Sequence, residues 1–205
     1  IKFLDNFFNS RTFNWVKLEE LTELSVGGTP SKSNSDFWHG DIPWYTSREI
    51  NHKYTSDSDN CISKNGLNKS SAKFFPEGSL LVGMNDTAAM KMSILNQQAT
   101  FNQNITGLKP SEEIDIEYVY YALTHLKKSI LSMRRGVRQQ YLSLKKIKEI
   151  KIPMCDKKLQ KEFINKMNLF EKKEKILFNN QYKIIANLKF LKSAILSKEF
   201  QNKVA

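Results

Sequence analysis

FINKMNLFEKKEKILFNNQYKIIANLKFLKSAILSK, Phe163 to Lys198, decides the architecture of the chain. Phe163, Met167, Phe170, Glu174, Leu177, Gln181, Ile184, Leu188, Leu191, Ile195 and Lys198 alternate at four- and three-residue spacing without a slip, and eight of these eleven are apolar. No Gly or Pro falls between Lys157 and Val204. The pattern therefore predicts one helix of about 42 residues, roughly 60 Å long at about 1.5 Å per residue. So narrow an apolar stripe cannot bury a helix in water by itself, so a second helix must lie along it. Glu174 and Gln181 interrupt the seam and would set register against that partner. The predicted pairing residues are Phe163, Met167, Phe170, Leu177, Ile184, Leu188, Leu191 and Ile195. The alternative is a long helix docked on its own domain.

Upstream the periodicity changes. Residues 1–14 form a Phe-rich lead-in, residues 15–155 read as a mixed α/β (α+β) globe with a mainly antiparallel sheet, and residues 156–205 are the long helix. Val16 to Val26 nearly alternate apolar and polar, which suggests a strand or a short helix–strand step. Gly27-Gly28 opens the loop VGGTPSKSNSDFWHGDIPWYTSREI, Val26 to Ile50. Within it DIPWYTS reads as a short strand that Pro43 confines to an edge or a strand start. EGSLLVGMN is a turn and a compact buried strand. KMSILNQQATFNQNITGLKP resembles a pair of strands joined at Asn96-Gln97, with a further pass from Ile105 to Lys109. Val119, Leu123, Leu126, Ile130 and Met133 mark a helix from about Asp115 to Met133, broken by Gly136. SLKKIKEI is a short helix and IKIP a closing strand.

The net charge of +11 is unevenly spread. Residues 1–123 hold 11 Lys and Arg against 15 Asp and Glu, residues 124–150 hold 8 against 1, and residues 151–205 hold 13 against 5. A basic excess that sits entirely in the last 82 residues favours a polyanionic partner. The competing reading of the last segment is a Lys-rich solvated helix face. No run of about 18 apolar residues is present to span a membrane. Ile1 is followed by no charged-then-apolar leader, so the expectation is a part of a longer soluble, cytoplasmic protein. Cys61 and Cys155 lie far apart and His39, His52 and His125 are scattered, so neither a disulfide framework nor a metal site is expected.

Searches for chemistry fail one after another. GGTPSKS has Pro30 where a phosphate cradle needs an amide, and no second Gly before Lys32. Neither VGGTP nor GMNDTA supplies a methyl-transfer cofactor turn. The carboxylates of EEIDIE sit at a helix start, where acids favour the dipole. No Ser-His-Asp or Cys-His spacing stands out, so catalysis within the chain is not expected. Nucleic-acid chemistry is better represented. MRRGVRQQYL, Met133 to Leu142, sets three arginines, two glutamines and a tyrosine around one glycine. Arg grips the O6/N7 edge of guanine and Gln the N6/N7 edge of adenine, and both reach phosphates. TSREINH repeats that chemistry. QQATFNQN adds amides that could equally bond one another across strands. Trp38, Trp44 and Tyr45 read as packing that stiffens the loop rather than as stacking platforms.

WVKLEELTEL…GGTPSKS…FWHGDIPWYTSREI, FFPEGSLLVGMN, FNQNITGLKP, YVYYAL and GVRQQYLSLKKIKEIKIPMCDKKLQKEFINKM together resemble, in order and over nearly the whole chain, a target-recognition domain of the specificity subunits of type I restriction-modification systems. The resemblance implies a domain that reads one half of a bipartite double-stranded DNA site, with the following helix paired antiparallel to a second as a spacer. It implies partners: DNA methyltransferase (modification) subunits that bind S-adenosylmethionine, a restriction/translocase subunit, and a second recognition half or a homodimer through the long helix. It implies no cofactor in this chain. One recognition domain and one helix, where a full subunit has two of each, make this a half subunit. By chemistry and location the implied DNA-binding residues are Thr29, Ser31, Lys32, Tyr45, Thr46, Arg48, His52, Asn85, Arg134, Arg135, Arg138, Gln139, Gln140 and Tyr141. Two other readings stay open: a recognition domain from a fused (type IIG/IIB-like) restriction-methylation enzyme, and a coiled-coil assembly protein with incidental positive charge.

Overall fold

The computed structural model describes residues 2–85, 89–132 and 141–202, with side chains as far as residue 196. It divides into two compact units, Ile1–Lys161 and Glu162–Ala205. The first is α+β. Its main sheet is antiparallel and four-stranded, in the order β2 (Leu24–Val26), β8 (Ile105–Leu108), β5 (Leu80–Gly83), β6 (Met92–Ile94). All residues of β5, β6 and β8 are buried, as short apolar runs covered on both faces must be. Gly107 in β8 is required by packing: a Cβ there would lie 2.5 Å from the Phe75 ring and 2.6 Å from the Phe101 ring. Those two rings sit 4.7 Å apart over the strand. With Tyr45, Ile50, Leu81, Leu95, Ala99 and Ile105 they form the central core.

A three-stranded sheet, β4 (Cys61–Ile62), β3 (Trp38–Tyr45), β7 (Thr100–Phe101), lies beside it in the chain's path. Here two expectations are corrected. Pro43 sits neither at an edge nor at a strand start; it is in the middle strand, antiparallel to β4 and parallel to β7. The missing N–H does no harm because Trp44 N–H faces the β4 side, donating to Asn60 O at 2.9 Å, which turns the Pro43 nitrogen toward β7. β7 begins only opposite Trp44, and the Thr100 hydroxyl donates to Pro43 O at 2.9 Å. The strands flanking Asn96-Gln97 do not pair with each other either. After β6 the chain turns away, Asn96 clasps Thr55 through Nδ2 and Oδ1 (2.7 and 2.9 Å), and Ala99 exchanges two backbone bonds with Phe75.

β1 (Asn14–Lys17) pairs antiparallel with β9 (Lys151–Met154), tying the start of the globe to its end. α2 (Leu18–Leu21) makes the expected helix–strand step to β2, and α3 (Lys64–Asn68) and α5 (Leu144–Lys148) are short, each capped by a Ser hydroxyl, Ser63 and Ser143. α4 (Ile116–Ser132) buries Val119, Leu123 and Ile130 as its spacing predicts, while Leu126 is half-buried and Met133 lies outside the described residues. The lead-in is itself a helix, α1 (Lys2–Asn9), burying Leu4, Phe7 and Phe8. Phe8 stacks on His125 at 5.1 Å, and His125 Nδ1 lies 2.8 Å from Asp5 Oδ1.

The last helix, α6, runs over Lys157–Asn202. Asp156 caps it by accepting the Leu159 N–H at 2.8 Å. Gln160, 1% exposed, accepts from Asp115 N and donates to Cys155 O. Among the expected pairing residues Phe163 and Met167 are buried, and the exposed part of the stripe begins at Phe170. From there Leu177, Ile184, Leu188, Leu191 and Ile195 are each more than half exposed. No helix among the described residues is long and apolar enough to cross a membrane.

Candidate nucleic-acid interface

Topology gathers four connections at one end of the globe. β2 and β5 both run antiparallel to β8, with Val26 opposite Thr106 and Gly83 opposite Ile105, so the C-terminal ends of β2 and β5 meet the start of β8. β3 runs parallel to β7, with Tyr45 beside Phe101, so these two also end there. The loop after β2, the turn after β3, the first residue beyond Met84 and the turn at 102–104 thus converge. They line an open cleft of about 840 Å³ with Thr29, Lys32, Ser35, Trp38, His39, Trp44, Thr46, Ser47, Arg48, Glu49, Asp59, Asn60, Asn85, Asn102, Gln103 and Asn104.

Each wall is stiffened by its own sequence. Gly28 N donates to Phe101 O (2.9 Å) and Gly27 N to Ile105 O (3.1 Å); a Cβ at Gly28 would stand 2.2 Å from the Ser71 backbone. The Trp44 indole donates to Gly28 O at 2.9 Å in a buried bond, and the Trp38 indole to Ser31 O at 3.1 Å. The two indoles meet edge to face at 5.0 Å. Both tryptophans therefore act as the struts their sequence context suggests. In TSRE the Glu49 carboxylate reaches back to Thr46 N and Thr46 Oγ1, both at 2.7 Å, and accepts from Asp59 N at 2.9 Å. Glu49 N–H in turn donates to Thr46 O at 3.1 Å, so backbone and carboxylate together close the turn. The same carboxylate ties the turn after β3 to the segment before β4 and leaves Arg48 exposed at the tip.

The 102–104 turn is the hub. Asn102 N donates to Tyr45 O (2.9 Å), Asn102 Oδ1 accepts from Asn104 N (3.0 Å), and Asn104 O accepts from Met84 N (2.9 Å). Met84 O in turn accepts from Leu142 N at 2.9 Å, and the Tyr141 hydroxyl lies 3.7 Å from Met84 Sδ. Asn85 Oδ1 is buried with no hydrogen-bond partner among the described residues.

Of the implied DNA-binding residues, the cleft brings together Thr29, Lys32, Thr46, Arg48 and Asn85. Ser31 is exposed on the same loop, its hydroxyl 2.8 Å from that of Ser33. Tyr141, 40% exposed, is held beside Met84. His52 is exposed but outside the cleft lining. Tyr45 is a correction: its side chain is 0% exposed, in the central core, and its hydroxyl donates to Ser56 O at 2.7 Å, so it cannot meet a base. Arg134, Arg135, Arg138, Gln139 and Gln140 lie outside the described residues. Gln103 and Asn104 were absent from the expected set. Their only sequence signal is the amide-rich FNQN, which gains meaning once the strand ends converge.

The described lining holds two formal cations, Lys32 and Arg48, and two carboxylates, Glu49 and Asp59, and one of those carboxylates is engaged with backbone and hydroxyl donors. The groups with displaced ionisation lie elsewhere. Burial pushes the Tyr118 hydroxyl up while it donates to Pro153 O at 2.7 Å. Burial likewise raises the Cys155 thiol, with Asp156 adding to the rise and a bond to Tyr118 and the charge of Arg11 opposing it.

Residues 11–189 match the family described as Type I restriction modification DNA specificity domain. The specificity subunit of the type I restriction enzyme EcoR124I/EcoR124II of Escherichia coli is 25% identical over 170 residues, covering 80% of this chain and 42% of that protein. Among solved structures, a chain from a study of complex assembly and conformational transition of the type I R-M system superposes with a TM-score of 0.72 at 17% identity, covering 96% of this chain and 51% of that one. The HsdS subunit from Thermoanaerobacter tengcongensis gives 0.61 at 14% identity, covering 78% and 37%. The chain thus spans under half the length of the curated relative it matches.

Proposed function

The chain belongs to the type I restriction modification DNA specificity domain family, and from that premise we propose that its globe reads one half of a bipartite double-stranded DNA target while α6 pairs with a second helix to hold the other half in place. The observation that carries the reading is the convergence of Thr29, Lys32, Thr46, Arg48, Asn85 and Gln103 on one cleft formed by rigid strand ends. Donors, acceptors and cations held on stiff turns are what base and phosphate contacts require. The exposed seam from Phe170 to Ile195 supports helix pairing, either with a second recognition half or with another copy.

The chain contributes recognition and no bond-making. In the cleft the Glu49 carboxylate accepts three bonds that brace the turns, a structural post unsuited to proton abstraction. Methylation, with S-adenosylmethionine, then falls to modification subunits, and cleavage to a restriction/translocase subunit, all in the cytoplasm where cellular DNA is met. The test is methylome sequencing of cells with the parent gene intact and deleted. Disappearance of one bipartite methylated motif on deletion is the expected result, and identical methylomes would refute the reading.

A further inference from the structure

Building on the DNA-reading role proposed above, we infer that Gln103 reads one adenine of the target and that Thr29 is the residue that anchors its amide for the contact. Gln103 is exposed at the tip of the turn between β7 and β8 and faces the cleft. The backbone on both sides of it is fixed. Asn102 is bonded to Tyr45 O through its N–H and to Asn104 N through its side chain, and Asn104 O takes the Met84 N–H. The side chain is fixed as well, because the Thr29 hydroxyl donates to Gln103 Oε1. Thr29 itself follows Gly28, whose carbonyl is held by the Trp44 indole.

A glutamine amide offers two acceptor sites on oxygen and two donors on nitrogen. Thr29 occupies one site on Oε1. What remains is one acceptor site and two N–H donors, and the acceptor with one donor complements the N6–H and N7 of adenine in the major groove. Guanine presents two acceptors, O6 and N7, on that edge, and its O6 would face Oε1 without a proton between them. An amide free to turn over could take adenine in either sense along the cleft. A hydroxyl can both donate and accept, so Thr29 anchors the amide against the cleft wall, and in the orientation seen here, with Oε1 on Thr29, the amide presents acceptor and donor in the order adenine requires. Lys32 and Arg48, exposed in the same cleft, carry the charge suited to phosphate and would add affinity without a base preference.

The experiment is enrichment of random duplexes by the purified chain and by its Gln103→Ala, Thr29→Val and Thr29→Ser variants, each first checked for wild-type near-ultraviolet circular dichroism. Wild type should enrich a short motif. Gln103→Ala should lose adenine preference at a single position, a drop in discrimination of roughly 5- to 150-fold, with the other positions intact. Thr29→Val should weaken preference at that same position, and Thr29→Ser should restore it, a pattern that mere loop support would not produce. A motif unchanged by Gln103→Ala, one weakened equally at every position, or a Thr29→Val effect at another position would overturn the inference alone. Failure of the wild-type chain to enrich any motif would overturn both this inference and the DNA-reading role.

Discussion

Replacing Trp44 with Phe isolates the strut on which the cleft wall depends. The indole N–H donates to Gly28 O at 2.9 Å, and Trp44 is only 5% exposed, so no water stands ready to replace the donor. Leaving that carbonyl without its partner costs about 1–3 kcal/mol. The space vacated by the smaller ring adds about 1 kcal/mol. The sum, about 2–4 kcal/mol, lowers the melting temperature of a domain this size by roughly 4–15 °C. Trp38→Phe is the internal control, because its bond to Ser31 O at 3.1 Å is exposed and water can substitute. Its cost should stay under about 1 kcal/mol. Unfolding should be followed by near-ultraviolet circular dichroism, since the far-ultraviolet signal is dominated by α6. If Trp44→Phe comes within about 0.5 kcal/mol of wild type, or if the two variants cost the same, the strut argument is wrong.

Four further outcomes follow from the same geometry. Gly107→Ala forces a methyl against the Phe75 and Phe101 rings and should destabilise the globe by about 1–3 kcal/mol in denaturant titration, whereas an unchanged midpoint would show that the ring pair can yield. Leu177→Glu with Ile184→Glu places charge on the open seam; sedimentation should show loss of association with the globe's unfolding transition unmoved, and association as tight as wild type would rule out that face. Lys32→Ala and Arg48→Ala should each flatten the slope of log affinity against log salt by about 0.9 without altering base preference, and a slope that does not move would remove them from phosphate contact. Because burial raises the Cys155 thiol, less of it is thiolate at pH 8, and in a Cys61→Ser background it should alkylate more slowly than a free cysteine peptide; equal rates would contradict the burial.

The long helix was legible because an apolar period repeated over several heptads, unbroken by Gly or Pro, is a property of the local chain. The same holds for α4, whose four-three spacing marks the buried Val119, Leu123 and Ile130. The expectation for Pro43 failed for a non-local reason. The rule counts the missing N–H, but the cost depends on whether a neighbouring strand reaches that point, and β7 starts one residue later. Nor could periodicity reveal that β7 pairs in parallel with a strand more than fifty residues upstream.

The same distinction explains the site. Tyr45 next to TSRE looks like a reader because aromatic and polar residues share a loop edge, yet Trp44 and Tyr45 are consecutive and both buried, which happens only when a strand is covered on both faces. Their neighbour Thr46 is the first residue of the strand's exit with a part-exposed side chain, and its hydroxyl donates to Glu49 three residues on. Gln103 had no such local signature. Its place depends on β2, β3, β5 and β7 all ending where β8 begins, a consequence of strand directions that no single segment contains. A cleft assembled in this way separates its tasks: strand ends fix the backbone, tryptophans and Glu49 hold the turns, and a few outward side chains are left to meet a partner. Lys32 and Arg48 can change without touching the bonds that hold the frame, whereas Thr29 and Thr46 belong to both sets, so a substitution at either tests frame and contact together.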